Sequence, residues 1–341
     1  MSPDEDHQPL RPVSSTVGGE EIARRVRAIY DLGPQVEARL LRRGFNDVYQ
    51  VTAGDRRYVA RLSGIRGRGG PNTAYETALL DHLKRQGAGV AGPIAARDGR
   101  FWRELQAAEG PRDLVLFDLL DGPPPMTDPG DVALMGEELA HIHAVAETYA
   151  GRPSRYRLDV DHLVRGPAAR IAVAPTLDDD LREKVAAAAA TIAARIETLT
   201  GLTQVACHGD CHGFNTLMVT DAEGRRVASF FDFDDGGPGP LAYDLGVYLW
   251  NILQRLGTKP LEAQHRAVWT AFLDGYRRRR PIRQADLDAI MLFVRAREVW
   301  FLGQYASYLD QWGSESFTAP WIRTRLAALR AWGQARPFAD E

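Results

Sequence analysis

The nine residues 207–215, "CHGDCHGFN", hold two cysteines, two histidines, an aspartate and an asparagine. Two chemistries compete for such a set: a soft-ligand metal or haem site built on sulfur, or a catalytic loop built on oxygen. The sulfur reading fails on spacing. A c-type haem needs Cys-x-x-Cys-His, and a structural zinc site pairs two close ligands with a second pair about a dozen or more residues away. Cys207 and Cys211 have three residues between them and no third cysteine exists, while the other histidines, at 7, 82, 141, 143, 162 and 265, are scattered. On a helix His141 and His143 would point to different sides. Cys207 then reads as a small apolar strand residue and Cys211 as loop filler.

The oxygen reading rests on His-Gly-Asp-x-x-x-x-Asn, written with His208, Gly209, Asp210 and Asn215 between apolar runs. Asp232 follows in "SFFDFDDGG", again at the end of an apolar strand-like run. Phosphoryl transfer needs a carboxylate to take the acceptor's hydroxyl proton, and two oxygen ligands to hold Mg²⁺ against nucleotide phosphates. An Asp and an Asn five apart on a turn, beside a strand-end Asp, would put three hard oxygen donors at one point. Asp234 and Asp235 read first as solvated turn residues and second as helpers in metal binding.

These residues need elements to hold them. With 341 residues the chain exceeds the usual size of one hydrophobic core, so two domains, or two lobes with a cleft, are expected. Residues 1–19 are acidic and rich in Pro, Ser and Gly, and are expected to form a flexible tail. "EEIARRVRAIYDLG" has helical spacing, with Ile22, Val26 and Tyr30 on one face and Gly33 as a stop. Residues 37–62 hold three strand-like runs broken at "RGFND" and "AGDRR", an antiparallel meander. A helix capped by Asn72 runs to Gly87, and two more strands, "FWREL" and "DLVLFDLL", lead to the prolines of "DGPPP", which cannot continue a ladder. That break divides a β-rich N-terminal part, 20–118, from a larger, mainly helical part, 119–341. The "CHGDCHGFN" loop and its two strands interrupt the helical part. The expected class is α+β.

Bulk properties narrow the partners. A net charge of −3 and a pI near 6.3 give no electrostatic basis for nucleic acid or an anionic membrane as main partner. The arginine run 277–280 reads as a solvated helix end. Two cysteines rule out a disulfide framework and suit a reducing cytoplasm. The N-terminus lacks the basic start and apolar run of a signal peptide, and no apolar run approaches the roughly 18 residues of a membrane helix. A cytoplasmic protein is expected, and the abundance of Ala and Arg suits a bacterial source.

"HGDCHGFN" followed by "FFDFDDGGPGPLAYDLG" resembles the catalytic loop and metal-binding segment of the aminoglycoside phosphotransferase and choline kinase-like superfamily. The resemblance runs over roughly residues 20–330. It implies a bilobal protein-kinase-like fold: a small antiparallel N-lobe with one key helix, and a larger, mainly helical C-lobe. It makes Asp210 the catalytic base, His208 the support of the loop, Asn215 and Asp232 the Mg²⁺ ligands, and Asp244 the buried aspartate that ties down the loop backbone. "RGFNDVYQV" resembles the nucleotide-covering hairpin, with main-chain N–H groups of Gly44, Phe45 and Asn46 facing phosphates. Only Gly44 remains of a glycine-rich loop there. "YVARL" stands on the strand that normally carries a phosphate-gripping Lys. This chain has Arg61, as some small-molecule kinases of the family do, with Glu76 as its ion-pair partner. "LVLFDLLDG" resembles the hinge, offering backbone groups around Leu116, Phe117 and Leu119 to adenine. The implied cofactors are ATP, with GTP as the alternative, and Mg²⁺.

The family's acceptors are antibiotics, homoserine, choline or ethanolamine and, in stress response kinase A, protein Ser or Thr. "HGDCH", "FDFDD" and "RAREVWFLGQYASYLDQWG" resemble the branch of stress response kinase A and homoserine kinase type II. The reading adopted is a kinase of a small-molecule hydroxyl, antibiotic or amino-alcohol type, active as monomer or homodimer, with residues around "YASYLDQW" lining the acceptor pocket. A stress-response-type protein Ser/Thr kinase is the alternative. The intact Asp210, Asn215 and Asp232 argue against a pseudokinase.

Overall fold

The computed structural model describes residues 10–64 and 70–335; the first nine residues of the expected tail lie outside them. Alternation makes the first sheet. In β2 (Asn46–Ala53) the residues Tyr49, Val51 and Ala53 turn inward while their neighbours stay partly exposed. It pairs antiparallel with β1 (Val36–Arg43) and with β3 (Arg56–Ser63). β4 (Trp102–Ala107) and β5 (Gly110–Asp118) complete five strands in the order β1-β2-β3-β5-β4. β5 lies between two partners and is buried without a break from Arg112 to Phe117. The amphipathic α1 (Gly19–Ile29) sets Ile22, Val26 and the following Tyr30 into a core with Tyr49, Val51, Tyr58, Leu62, Leu114 and Leu116.

Two compact units result. One comprises the residues up to Ala78 and Gly92–Leu119, the other Leu79–Ala91 and the chain from Leu120. The helix α2 (Gly70–Arg85) therefore contributes to both. It starts two residues before the expected cap, so Asn72 is a buried residue within the helix.

The second unit is helical: α3 (Pro129–Ala146), α4 (Gly166–Ala172), α5 (Asp179–Glu197), α6 (Leu241–Leu256), α7 (Ala263–Arg277), α8 (Gln284–Ser307), the single turn α9 (Leu309–Trp312) and α10 (Ala319–Trp332). Asp128 caps α3 and Asp178 caps α5, each accepting a backbone N–H of the first turn. α3 and α7 approach so closely that a Cβ on Gly136 would stand 2.0 Å from Phe272 O, and one on Gly275 1.9 Å from Ala133 O. Two short two-stranded sheets break the helices: β6 (Gln204–Cys207) with β9 (Gly237–Pro240), and β7 (Thr216–Thr220) with β8 (Arg226–Phe230). The π-helical turn Asp161–Arg165, α4 and β9 have no counterpart among the sequence expectations. β9 reads "GPGP", the composition that strand propensity disfavours most, and pairing with β6 is what extends it.

Each arginine of the 277–280 run has an acidic partner. Arg277 pairs with Asp274 (3.2 Å), Arg278 and Arg279 with Glu137 (3.6 and 3.1 Å), and Arg280 with Glu147 (2.6 Å). No helix among the described residues is long and apolar enough to cross a membrane. The fold is α+β, with a five-stranded antiparallel sheet followed by a helical region.

Candidate active site

The chemistry-bearing loop leaves β6 at Cys207 and turns at Gly209, where φ is +85° and a Cβ would meet Asp235 O at 2.1 Å. Only glycine fits there without strain. Asp244, in the first turn of α6, is fully buried and accepts three hydrogen bonds. The His208 N–H reaches its Oδ2 (2.6 Å) and the Gly209 N–H its Oδ1 (2.8 Å). His143 Nε2 reaches Oδ2 (3.0 Å), while its Nδ1 faces Tyr276 OH (2.9 Å). A buried carboxylate needs such partners, and these two backbone donors lie immediately before Asp210.

His208 braces the loop from within. Its Nε2 contacts Phe231 O (3.0 Å), an atom that can only accept, so Nε2 carries the proton and Nδ1 receives the Asp210 N–H (3.2 Å). Burial lowers its pKa, keeping the ring neutral. Asn215 spans the loop: Nδ2 donates to Asp210 Oδ2 (2.9 Å) and to Asp210 O (3.0 Å), which leaves the lone pairs of Oδ1 outside that contact. The Phe231 N–H donates to Asn215 O (3.1 Å), so Asp232 comes one residue after the partner of Asn215, where the β7–β8 ladder ends. Asp232 has φ +68°, a left-handed conformation uncommon outside glycine. The structure thus joins His208, Asp210 and Asn215 by hydrogen bonds, and Asp232 directly follows Phe231, which is bonded to both His208 and Asn215. Asp234 and Asp235 lie on the following turn, where Tyr156 OH donates to Gly236 O (2.7 Å) and lies 3.3 Å from Asp234 O.

Two residues at this site escape sequence reasoning. Arg297, on α8, donates from Nη2 to Asp210 Oδ1 and from Nη1 to Gly209 O (3.0 Å) and Tyr243 OH (3.1 Å). Its guanidinium packs against the rings of Trp300 and Trp250, at 4.1 and 5.1 Å. His212 accepts the Phe214 N–H at Nδ1 (3.2 Å), and its Nε2 lies 3.4 Å from Asp210 Oδ2. Burial pushes the Asp210 carboxyl up, but His212 and the Arg297 guanidinium outweigh it and hold the group well below the ordinary carboxylate range. Arg297 lies 87 residues from its partner, so spacing carries no sign of the contact. The "RAREVW" segment that contains it was visible only as a resemblance.

Beyond Arg297 runs a chain of aromatic rings. Trp250 meets Phe301 at 5.2 Å, Phe301 meets Tyr305 at 4.8 Å, and Tyr305 meets both Trp312 and Trp321 at 5.2 Å. Phe301, Tyr305, Trp312 and Trp321 are half-buried. Part of the "YASYLDQW" segment therefore belongs to this cluster.

In the other unit, Arg61 on β3 makes a two-pronged ion pair with Glu76 on α2, Nη1–Oε1 at 2.8 Å and Nη2–Oε2 at 2.5 Å, both side chains buried. The ring of Phe117 lies 5.2 Å from the guanidinium carbon. Gly44 and Phe45 form the β1–β2 turn and Asn46 opens β2. The Gly44 N–H already donates to Asn46 O (3.1 Å), and Asn46 Oδ1 accepts the Gly64 N–H. Leu116 O accepts the Ile94 N–H (2.7 Å) and the Asp118 N–H donates to Gly92 O (2.9 Å). Residues 92–94 thus cover the β5 edge at Leu116 and Phe117, and Leu119 follows the end of the strand.

The metal question can be tested on the donors. Cys207 and Cys211 are buried, and burial raises both thiols well above their usual range, away from the thiolate a soft metal requires. Among the described residues no group of three or more His, Cys, Asp and Glu forms a metal cage. Asn215 and Asp232 offer two hard oxygens, which fits Mg²⁺, an ion commonly held by one or two protein ligands together with substrate phosphates.

Residues 37–282 match the model of the phosphotransferase enzyme family. An uncharacterized protein of Deinococcus radiodurans is 37% identical over 295 residues, covering 86% of this chain and 84% of that protein. A homoserine kinase of Cupriavidus taiwanensis is 28% identical over 304 residues, covering 85% of each. Among solved structures, amicoumacin kinase hAmiN, in complex with AMP-PNP, Ca²⁺ and Ami, superposes with a TM-score of 0.73 at 19% identity, covering 91% of this chain and 93% of that one. A microcompartment-associated aminopropanol kinase gives 0.70 at 22% identity, covering 92% and 95%. The matched span includes the sheet, the Arg61–Glu76 pair and the whole loop from His208 to Asp244. The chain belongs to the phosphotransferase enzyme family and is an ATP-dependent kinase acting on a hydroxyl.

Proposed function

We propose that the protein moves the γ-phosphoryl group of ATP to the hydroxyl of a small molecule of the antibiotic or amino-alcohol type, with Asp210 as the base. The observation that carries this reading is the Asp210 carboxylate itself, anchored by Asn215 Nδ2, while Asn215 O accepts the N–H of Phe231, the residue before Asp232. The acceptor oxygen bonds to Pγ while the bond from Pγ to the β,γ-bridging oxygen breaks, its electron pair leaving with ADP. The acceptor's proton passes to the Asp210 carboxylate. In a loose transition state little negative charge builds on the nucleophile early, so a weakly basic carboxylate suffices and its placement matters more than its strength. Asn215 and Asp232 would hold Mg²⁺, which when bound neutralises charge on the phosphate oxygens. His208 keeps the loop and the strand-end segment in register. Arg61, oriented by Glu76, would hold a nucleotide phosphate. The covered edge at Leu116 and Phe117 moves the adenine contact toward Leu119. The names of the relatives, homoserine kinase, amicoumacin kinase and aminopropanol kinase, support a small-molecule acceptor.

Purified protein incubated with γ-labelled ATP, Mg²⁺ and a library of amino alcohols and antibiotics should label a small molecule. Label found only on the protein itself or on added casein would overturn the small-molecule acceptor in favour of a protein Ser/Thr kinase. Asp210→Ala should lower turnover by at least about 10²–10⁴-fold while nucleotide binding survives. Near-full turnover in that variant removes Asp210 as the base.

A further inference from the structure

We propose that Arg297 is a positioning residue for the base: it fixes the orientation of the Asp210 carboxylate relative to the loop backbone. The inference rests on the assignment of Asp210 above. The guanidinium holds the base at two points, the carboxylate through Nη2 and the carbonyl of the preceding Gly209 through Nη1, so side chain and backbone are gauged against one rigid plane. Elsewhere in the fold, buried arginines pair with acids away from the loop: Arg325 with Glu298, Arg61 with Glu76, and Arg112 with Asp47. The nearest acid to Arg297 is Asp210 itself, with Asp235 Oδ2 at 4.0 Å as the only other ion pair found among the described residues.

The plane is set in turn from outside the loop. Trp250, one of the two rings against the guanidinium, donates its Nε1–H to Glu298 Oε2 (2.7 Å). Both oxygens of Glu298 are held by Arg325 of α10, at 2.5 and 2.6 Å, and Arg325 also reaches Gln254 O on α6 (3.2 Å). A buried chain thus runs from α10 through Glu298 and Trp250 to Arg297 and the base. Adjacent residues of α8 face opposite tasks: Glu298 takes up its place in the framework, and Arg297 transmits it.

The test uses the full chain with water as acceptor, reading Mg²⁺-dependent ATP hydrolysis. Arg297→Ala should lower kcat by about 100-fold, as expected for a misplaced reacting group, with the KM for ATP changed far less. Added guanidinium should restore part of the rate. Arg297→Lys keeps the charge without the planar fork, so its kcat should also fall while the KM for ATP changes far less, and this variant decides the matter if the alanine variant does not fold. A folded Arg297→Ala or Arg297→Lys protein with wild-type kcat overturns the proposal. If Asp210→Asn itself turns over normally, the base assignment has failed, whereas an inactive Asp210→Asn beside a fully active Arg297→Ala overturns the positioning role alone.

Discussion

At the scale of single residues, the site depends on backbone conformations as much as on functional groups. Gly209 combines φ +85° with a carbonyl oxygen 2.1 Å from any added Cβ. Gly209→Ala should cost more than the roughly 1 kcal/mol of an ordinary glycine-to-alanine mismatch, read from urea unfolding, and should abolish turnover because Asp210 is the next residue. Asp232 at φ +68° predicts a different outcome. Asn tolerates the left-handed region, so Asp232→Asn should unfold within about 0.5 kcal/mol of wild type while needing more Mg²⁺ for activity. The Asp210 carboxyl is held below its ordinary value, so the stabilisation it supplies is present above the usual carboxylate range near pH 4 and is lost as pH falls through and below it. Asp210→Asn should therefore be less stable than wild type at pH 7, where Arg297 loses its charged partner, and the gap should narrow below about pH 4 in denaturant midpoints measured across pH.

At the scale of elements, the site is a set of anchors from α3, α6, α8 and α10 on a loop that has little regular structure of its own. Asp244 of α6 holds the loop's N–H groups, and His143 of α3 braces Asp244. Breaking the buried Arg325–Glu298 pair by Glu298→Ala should cost about 3–5 kcal/mol in urea unfolding, because a buried guanidinium is left without its carboxylate. Much of this level was legible in the chain. Alternation and turn clusters placed the three-strand meander, and helical spacing put Ile22, Val26 and Tyr30 on one buried face. Polar residues on a tight loop marked His208, Asp210 and Asn215, because their spacing is local. Arg297, His143 and Trp250 were not legible, since nothing in a helix period distinguishes a side chain aimed at a distant loop from one aimed at the core. β9 was hidden for another reason: its glycines and prolines suit close passage past β6 and carry no strand signal of their own. Asn72 was misread because cap chemistry predicts a helix start only where no earlier residue can join the helix.

For the whole molecule, the division of labour is between a β-sheet unit carrying Arg61–Glu76 and a helical unit carrying the loop and the aromatic cluster. The chain passes between the units after Ala78, Ala91 and Leu119, so neither is one continuous segment. Without nucleotide, EDTA should leave the melting temperature unchanged, because burial raises both thiols away from the thiolate a structural metal needs and Mg²⁺ is expected with its phosphates. AMP-PNP at about 100 times its Kd should stabilise the protein by about 2.7 kcal/mol in the presence of Mg²⁺, and Asn215→Ala should reduce that gain. A wild-type gain that is indifferent to Mg²⁺ would separate nucleotide binding from Asn215 and Asp232.

The pairing of Gln204–Cys207 with Gly237–Pro240 closes a ring around every residue from His208 to Gly236. Inside that ring His208 is bonded to Phe231, Phe231 to Asn215 and Asn215 to Asp210. Amide protons of the ring that are held by Asp244, Asn215 and His208 should therefore exchange with solvent at one shared rate, as a single opening event. On the roles proposed for Asp210, Asn215 and Asp232, activity should then be lost under thermal stress in one step rather than piecemeal, and should return in one step when the short β6–β9 ladder re-forms.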